Sequence, residues 1–230
     1  MVESAATNGS IGIAYTYSEP AIWFETIMEV GALVRKQGRK NVMVTNGFIE
    51  QAPLAELLTV VDAMNIDIKS MNPSFYRRIC KGSLDPVLKA CETVKKSGCH
   101  LEITNLLIPG ENDDPAETEA LAGFMAEHLG KDTPLHLSRY FPRYRMNHDA
   151  TPEALLLHAW EIAKNHLDYV YIGNCVIPDK EDTRCPGCGA VLIRRNGYRV
   201  KLTDSLIKSD GQDAEKPKCA KCGAVVAIVL

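Results

Sequence analysis

The chain has 230 residues, 46% of them hydrophobic and 24% charged, a globular balance that excludes wholesale disorder. Its 26 Lys and Arg against 29 Asp and Glu leave a formal net charge of −3, which disfavours nucleic acid or an anionic membrane surface as a partner. No apolar run reaches the roughly 18 residues of a membrane span; the opening MVESAATNGS lacks the basic start and apolar stretch of a secretory signal, so the expected location is cytoplasmic.

In chain order, β-rich apolar runs at residues 11–17, 41–46, 62–68, 100–108, 134–140 and 168–173 alternate with helical stretches at 20–37, 53–61, 85–97, 115–129 and 152–166. Pro20, Pro53, Pro86, Pro115 and Pro152 stand where helices begin, and Gly38, Gly98 and Gly130 where they end. Apolar strands alternating with helices at about one βα unit per 30 residues predict a parallel α/β sheet. Periodicity admits either an open doubly wound sheet or a partial barrel.

After Gly173 the helical stretches stop, and a boundary is expected near Pro178, dividing the chain into 1–177 and 178–230. A segment of about 50 residues needs a metal or another staple to hold a core. Cys185-x2-Cys188 and Cys219-x2-Cys222, each followed by glycine, supply one. Two such knuckles close a tetrahedral four-sulfur site, the arrangement of structural zinc, although the ligand set also admits iron in a rubredoxin-like state. Asn196-Gly197 between alternating residues predicts a hairpin between the knuckles, making a zinc ribbon with a bulging loop at 204–217. Arg194, Arg195, Arg199 and Lys201 give that hairpin a basic face, read as solvated rather than phosphate-binding. Cys80, Cys91, Cys99 and Cys175 have no ligand spacing and are expected to be buried or half-buried thiols.

Ligands of parallel α/β sheets bind beyond the C-terminal strand ends. Four such places carry polar residues. Glu19, before Pro20, is either a weak cap or a ligand carboxylate. Thr45 and Asn46 precede Gly47, which suits a turn or a close approach of backbone to ligand. Asp67 and Lys69 share one strand face, costly there unless paired or ligand-bound. Glu102 and Thr104 on one strand, with His136, Ser138 and Tyr140 on the next, would line a polar cavity inside a barrel.

Taken in order, IAYTYSEP, VMVTNGF, MNIDIKS, LLIPGENDD, LHLSRYFP, YVYIGN and CPGCG resemble the AmmeMemoRadiSam-system radical SAM enzymes, relatives of pyruvate formate-lyase activating enzyme. The resemblance covers essentially the whole chain. It implies a partial (β/α)6 barrel, TIM-like, that binds S-adenosylmethionine and a 4Fe-4S cluster, and cleaves the former reductively to a 5′-deoxyadenosyl radical. Glu19 matches the acidic residue of a Gly-Gly-Glu-type motif that holds the amino group of S-adenosylmethionine, with Tyr17 and Ser18 in place of the glycines. Thr45 and Asn46 match a segment beside its methionine and ribose portions, and Asp67 and Lys69 an Asp-Leu-Lys-type motif. Thr104 and Tyr140 correspond more weakly.

The family's Cys-x3-Cys-x2-Cys cluster loop has no counterpart here. The resemblance therefore implies a barrel lacking its first βα unit and inactive by itself, acting in its intact form on an unidentified protein or small molecule. An exposed edge on the strand at 11–17 is then expected to self-associate or to pair with a separately encoded N-terminal piece. Two other readings remain: a cluster-free barrel enzyme using Lys69 as Schiff-base or general-base residue with Asp67 tuning it, and a non-enzymatic binding module with a basic ribbon.

Overall fold

Six strands follow one another across a single parallel sheet in the computed structural model, which describes residues 2–197, 199–208 and 216–229. They are β1 (Gly12–Tyr15), β2 (Lys40–Thr45), β3 (Ala63–Asp67), β4 (His100–Leu107), β5 (Leu135–Arg139) and β6 (Val170–Gly173). The order β1-β2-β3-β4-β5-β6 decides between the two architectures open to the sequence. A doubly wound sheet reverses direction at a switch point, whereas this one winds steadily one way, as a barrel wall does. Five of the strands are a residue or more shorter than their apolar runs, and β2 keeps its length but starts one residue earlier; β1 stops at Tyr15 because Tyr17 turns to φ 44.

Helices α1 (Val2–Thr7), α2 (Phe24–Lys36), α3 (Gln51–Leu57), α4 (Pro73–Phe75), α5 (Asp85–Lys96), α6 (Pro115–Phe124) and α7 (Glu153–Lys164) alternate with the strands. A 3-10 turn, Pro20–Trp23, leads into α2. α2 packs on β2, α5 on β4 and α7 on β5 and β6. Pro53 lies in the first turn of α3 rather than at its first residue, and Pro152 precedes α7; neither place requires a backbone N–H.

The core lies between these helices and one face of the sheet. Along β4 the alternation is strict: Leu101, Ile103, Asn105 and Leu107 are buried, while His100, Glu102, Thr104 and Leu106 stand half-exposed on the inner face. Ile27, Met43, Ile66, Ile103 and Leu135 are almost wholly buried, each contributing about 1.5–3 kcal/mol of apolar burial. Inside this layer Asn41 is also fully buried. Its amide donates to the carbonyls of Gly31 (3.0 Å) and Val60 (2.9 Å) and accepts from the Tyr15 hydroxyl (3.0 Å), tying α2, β1 and β2 together.

The C-terminal part has its own small core, built on Leu192, Ile193, Leu206 and Val226 beside Cys185 and Cys219. Strands β7 (Thr183–Arg184), β8 (Val191–Asn196) and β9 (Arg199–Leu202) form an antiparallel sheet, and β10 (Leu206–Ile207) pairs with β11 (Lys218–Cys219). The hairpin turn is one residue later than its sequence signal: Asn196 pairs with Arg199, leaving 197 and 198 as the connection. Residue 198 and residues 209–215 of the expected bulging loop lie outside the described residues. No helix among the described residues is long and apolar enough to cross a membrane.

Candidate functional site

At the C-terminal ends of β1 and β2, one carboxylate gathers three donors. Glu19 Oε1 accepts from the Thr45 hydroxyl (2.5 Å) and from the Ala21 amide (3.1 Å), and Oε2 accepts from the Asn46 amide (2.8 Å). Glu19 is thus the N-cap of the 3-10 turn and also the tie between that turn and the end of β2. Thr45 faces the helical layer and is buried. The Asn46 side chain accepts from the Phe48 amide (2.8 Å), closing a turn. Gly47 has φ 68, and a Cβ there would stand 2.7 Å from Ile66 Cγ2. Packing against β3 therefore suffices to require glycine at this place.

On the inner face the register aligns Asp67, Thr104, His136 and Tyr171 across β3, β4, β5 and β6. Thr45 pairs with Ile66, so Asn46 follows into the same row. Asp67 Oδ2 and Lys69 Nζ pair at 2.5 Å, both partly exposed. The Thr104 hydroxyl donates to Asn65 Oδ1 (2.9 Å). The backbone of Lys69 is held on both sides: its N–H donates to the Tyr76 hydroxyl (3.1 Å) and its carbonyl accepts from Asn112 Nδ2 (2.6 Å). Buried Asn112 also takes the Ile108 amide, and Asn105 Nδ2 donates to the Ile68 carbonyl (2.8 Å). Neither asparagine stands out in the sequence; a polar residue at a buried position of β4 was the available signal for Asn105.

Tyr140 lies apart from this row. It is buried, and its hydroxyl donates to the Met146 carbonyl (2.7 Å). Beside it, Arg139 Nε is the one buried side-chain nitrogen or oxygen without a partner among the described residues.

Lower on the same face, Glu102 lies between two imidazoles. Nε2 of His100 is 3.1 Å from Oε1 and Nε2 of His136 is 2.7 Å from Oε2. Burial pushes the Glu102 carboxyl up, but the two imidazole hydrogen bonds outweigh it and hold the group well below the usual carboxylate range. The His136 ring stacks on Tyr171 with centroids 5.2 Å apart. The sequence placed Glu102 and His136 on one polar wall but gave no sign of His100.

In the ribbon, the Sγ atoms of Cys185, Cys188, Cys219 and Cys222 all lie within 4.8 Å of one another. Cys185 and Cys222 are 3.6 Å apart, and Cys188 and Cys219 3.7 Å. A tetrahedral ion with bonds of about 2.3 Å to sulfur spaces its ligands by about 3.8 Å, so the four thiols fit a metal. The knuckles repeat one geometry: the Gly189 amide donates to the Cys185 carbonyl and the Gly223 amide to the Cys219 carbonyl, both at 2.8 Å. Gly189 (φ 73) and Gly223 (φ 74) take the left-handed conformation this turn requires. Of the other cysteines, Cys91 is buried, and burial pushes its thiol up to about 12. Cys99 and Cys175 are half-buried, but Cys80 is exposed, contrary to expectation. It lies at the end of a π-helical turn running outward from α4, a break that apolar periodicity does not reveal.

The family model of the radical SAM superfamily matches residues 1–122. An uncharacterized protein of Methanocaldococcus jannaschii is 40% identical over 235 aligned positions, covering 100% of this chain and 67% of the relative. Pyruvate formate-lyase 1-activating enzyme of Escherichia coli K12 is 23% identical over 131, covering 56% of this chain and 53% of the enzyme. Among solved structures, a domain of a pyruvate-formate lyase-activating enzyme from Bacteroides vulgatus superposes with a TM-score of 0.62 at 20% identity. That match covers 71% of this chain and 99% of the domain. The chain thus spans only about half the length of the Escherichia coli enzyme. A family match over more than half the residues, on a one-way-wound parallel sheet with polar strand ends, establishes that the chain belongs to the radical SAM superfamily.

Proposed function

We propose that this chain is the S-adenosylmethionine-binding barrel of an AmmeMemoRadiSam-type radical SAM protein, akin to pyruvate formate-lyase activating enzyme. The observation that carries the reading is the junction where Glu19 gathers Thr45 and Asn46 at the strand ends, beside the Asp67–Lys69 pair. Tyr17, which stands where the family motif has glycine, takes a backbone conformation that glycine enters freely. In this reading Glu19 receives the amino group of S-adenosylmethionine, its carboxylate oriented in advance by three protein donors. Asn46 lies beside the methionine and ribose portions, Thr45 acts there through its bond to Glu19, Asp67, Lys69 and Thr104 meet polar groups, and Tyr140 braces the β5 end.

In this superfamily a 4Fe-4S cluster supplies the electron that cleaves S-adenosylmethionine. The barrel residues present do not fit that cluster. Cys80, Cys91, Cys99 and Cys175 form no three-ligand group, the ribbon quartet being the one found among the described residues. The reading therefore assigns the cluster thiolates to a first βα unit outside these 230 residues, and the chain alone is inactive in reductive cleavage. Residues 1–177 are the barrel and 178–230 the ribbon, with zinc as its metal. β1 is the outer strand of the sheet among the described residues, and its outer edge is the surface proposed for self-association.

The alternatives have less support. The Asp67–Lys69 pair is common to this reading and the cluster-free Lys69 one and favours neither. Arg195 turns inward, which thins the basic face a binding module would use.

Three measurements on the purified 230-residue protein test the reading. Elemental analysis should find one zinc and substoichiometric iron. Equilibrium dialysis should show S-adenosylmethionine binding that weakens in Asp67→Asn. Incubation with reductant should yield no 5′-deoxyadenosine. A stoichiometric cluster with cleavage by this chain alone, or no S-adenosylmethionine binding, would overturn it. A clean monomer in light scattering would refute the β1 association.

A further inference from the structure

A cavity of about 750 Å³ opens between the inner face of β4–β6 and the ribbon, within the size range of small-molecule sites. Its barrel wall carries His100, Glu102, His136 and Tyr171, and its ribbon wall Thr183, Ile193 and Arg195. The Glu19 group lies at the ends of β1 and β2, on the other side of the sheet order.

The acids of the cavity are engaged. Glu102 is held by two imidazoles, and Glu181 Oε2 accepts from the Gly197 amide (3.2 Å). Arg195 is the exception. Its Nη1 donates to the Thr183 hydroxyl (2.5 Å) and the Glu181 carbonyl (3.2 Å), and its guanidinium lies over the Tyr171 ring, 5.4 Å from the centroid. No carboxylate among the described residues forms an ion pair with it, whereas its neighbour Arg194 pairs with Asp182. A half-buried guanidinium that lines a cavity without a counter-ion is a place for an anion.

We propose that this cavity binds a small organic monocarboxylate, its carboxylate on Arg195 and its apolar body against Ile193, Ile228 and Val229. With the Nη1 hydrogens given to Thr183 and Glu181, the Nε and Nη2 N–H groups form the planar fork that matches two carboxylate oxygens. Phosphate would bring more charge than one arginine neutralises, close to Glu102 and Glu181. The proposal does not rest on the reading of the strand ends, since binding here requires neither S-adenosylmethionine nor a cluster.

Isothermal titration of the intact, zinc-loaded chain with benzoate, benzamide and inorganic phosphate tests it. Benzoate should bind saturably at millimolar concentration or below, and benzamide about 10-fold or more weakly. Arg195→Met should weaken benzoate by about 10- to 100-fold, the worth of charge-assisted hydrogen bonds, and Arg194→Met should leave it unchanged. Arg195→Lys keeps the charge but not the fork; it should fall between wild type and Met, and it stands in if Arg195→Met does not fold. Four outcomes would overturn the proposal: no saturable benzoate binding, equal binding of benzamide or phosphate, unchanged binding in the Arg195 variants, or equal losses in the Arg194 and Arg195 variants.

Discussion

The Glu19 carboxylate caps a turn, takes the Thr45 hydroxyl and takes the Asn46 amide, so its loss is felt in two elements at once. Glu19→Ala should destabilise the protein by about 1–3 kcal/mol in urea unfolding, because a cap and charge-assisted bonds disappear together. Glu102 gives a pH test. Its folded-state carboxyl is held below the ordinary value, so its stabilising contribution is full above the unfolded value near 4.3 and is lost as pH falls through the lower folded value. Glu102→Gln should therefore cost stability near neutral pH, with the gap to wild type closing under acid. With its side chain still 35% exposed, the cost should be about 1 kcal/mol, read from denaturation midpoints across pH. At this scale the sequence was half legible. Alternation put Asp67 with Lys69 and Glu102 with Thr104 on shared faces, but the partners came from elsewhere in the chain: Thr45 is 26 residues from Glu19 and His136 34 from Glu102.

Elements here are joined by buried polar atoms as well as by apolar contact. Asn41 satisfies two carbonyls and one hydroxyl at the meeting of α2, β1 and β2, and Gly31 permits the approach: a Cβ there would stand 3.2 Å from Val60. Asn41→Ala should cost about 2–4 kcal/mol in thermal or urea unfolding, since several buried polar groups would be left without partners. Gly47→Ala, which meets Ile66 from a left-handed backbone, should cost about 1–3 kcal/mol by the same measurement. Element types and order were readable from apolar periodicity and prolines. Their ends were not: β1 stops early at Tyr17, and the ribbon turn slides one residue past Asn196. Such ends depend on which backbone groups find partners, and those partners belong to neighbouring strands.

For the whole molecule, the ribbon matters beyond its own fold. Its core is small and gathered around two of the four sulfurs, so stripping the metal should unfold it while the barrel keeps its helical signal. Because Thr183 and Arg195 form one wall of the cavity, the same treatment should change the imidazole signals of His136 in NMR spectra. Unchanged signals after chelation would show that wall to be independent of the metal. The eight cysteines, the knuckle spacing, the strand–helix alternation and the family likeness were all determined by the sequence alone, because each depends on residues a few positions apart or on their order. The one-way winding of the sheet, the saturation of Glu19 and the inward turn of Arg195 were decided only by the tertiary structure. Alternation divides Arg194 from Arg195 onto opposite faces of β8, but which face becomes a cavity wall depends on where the ribbon docks, and that is set by contacts between residues far apart in the chain.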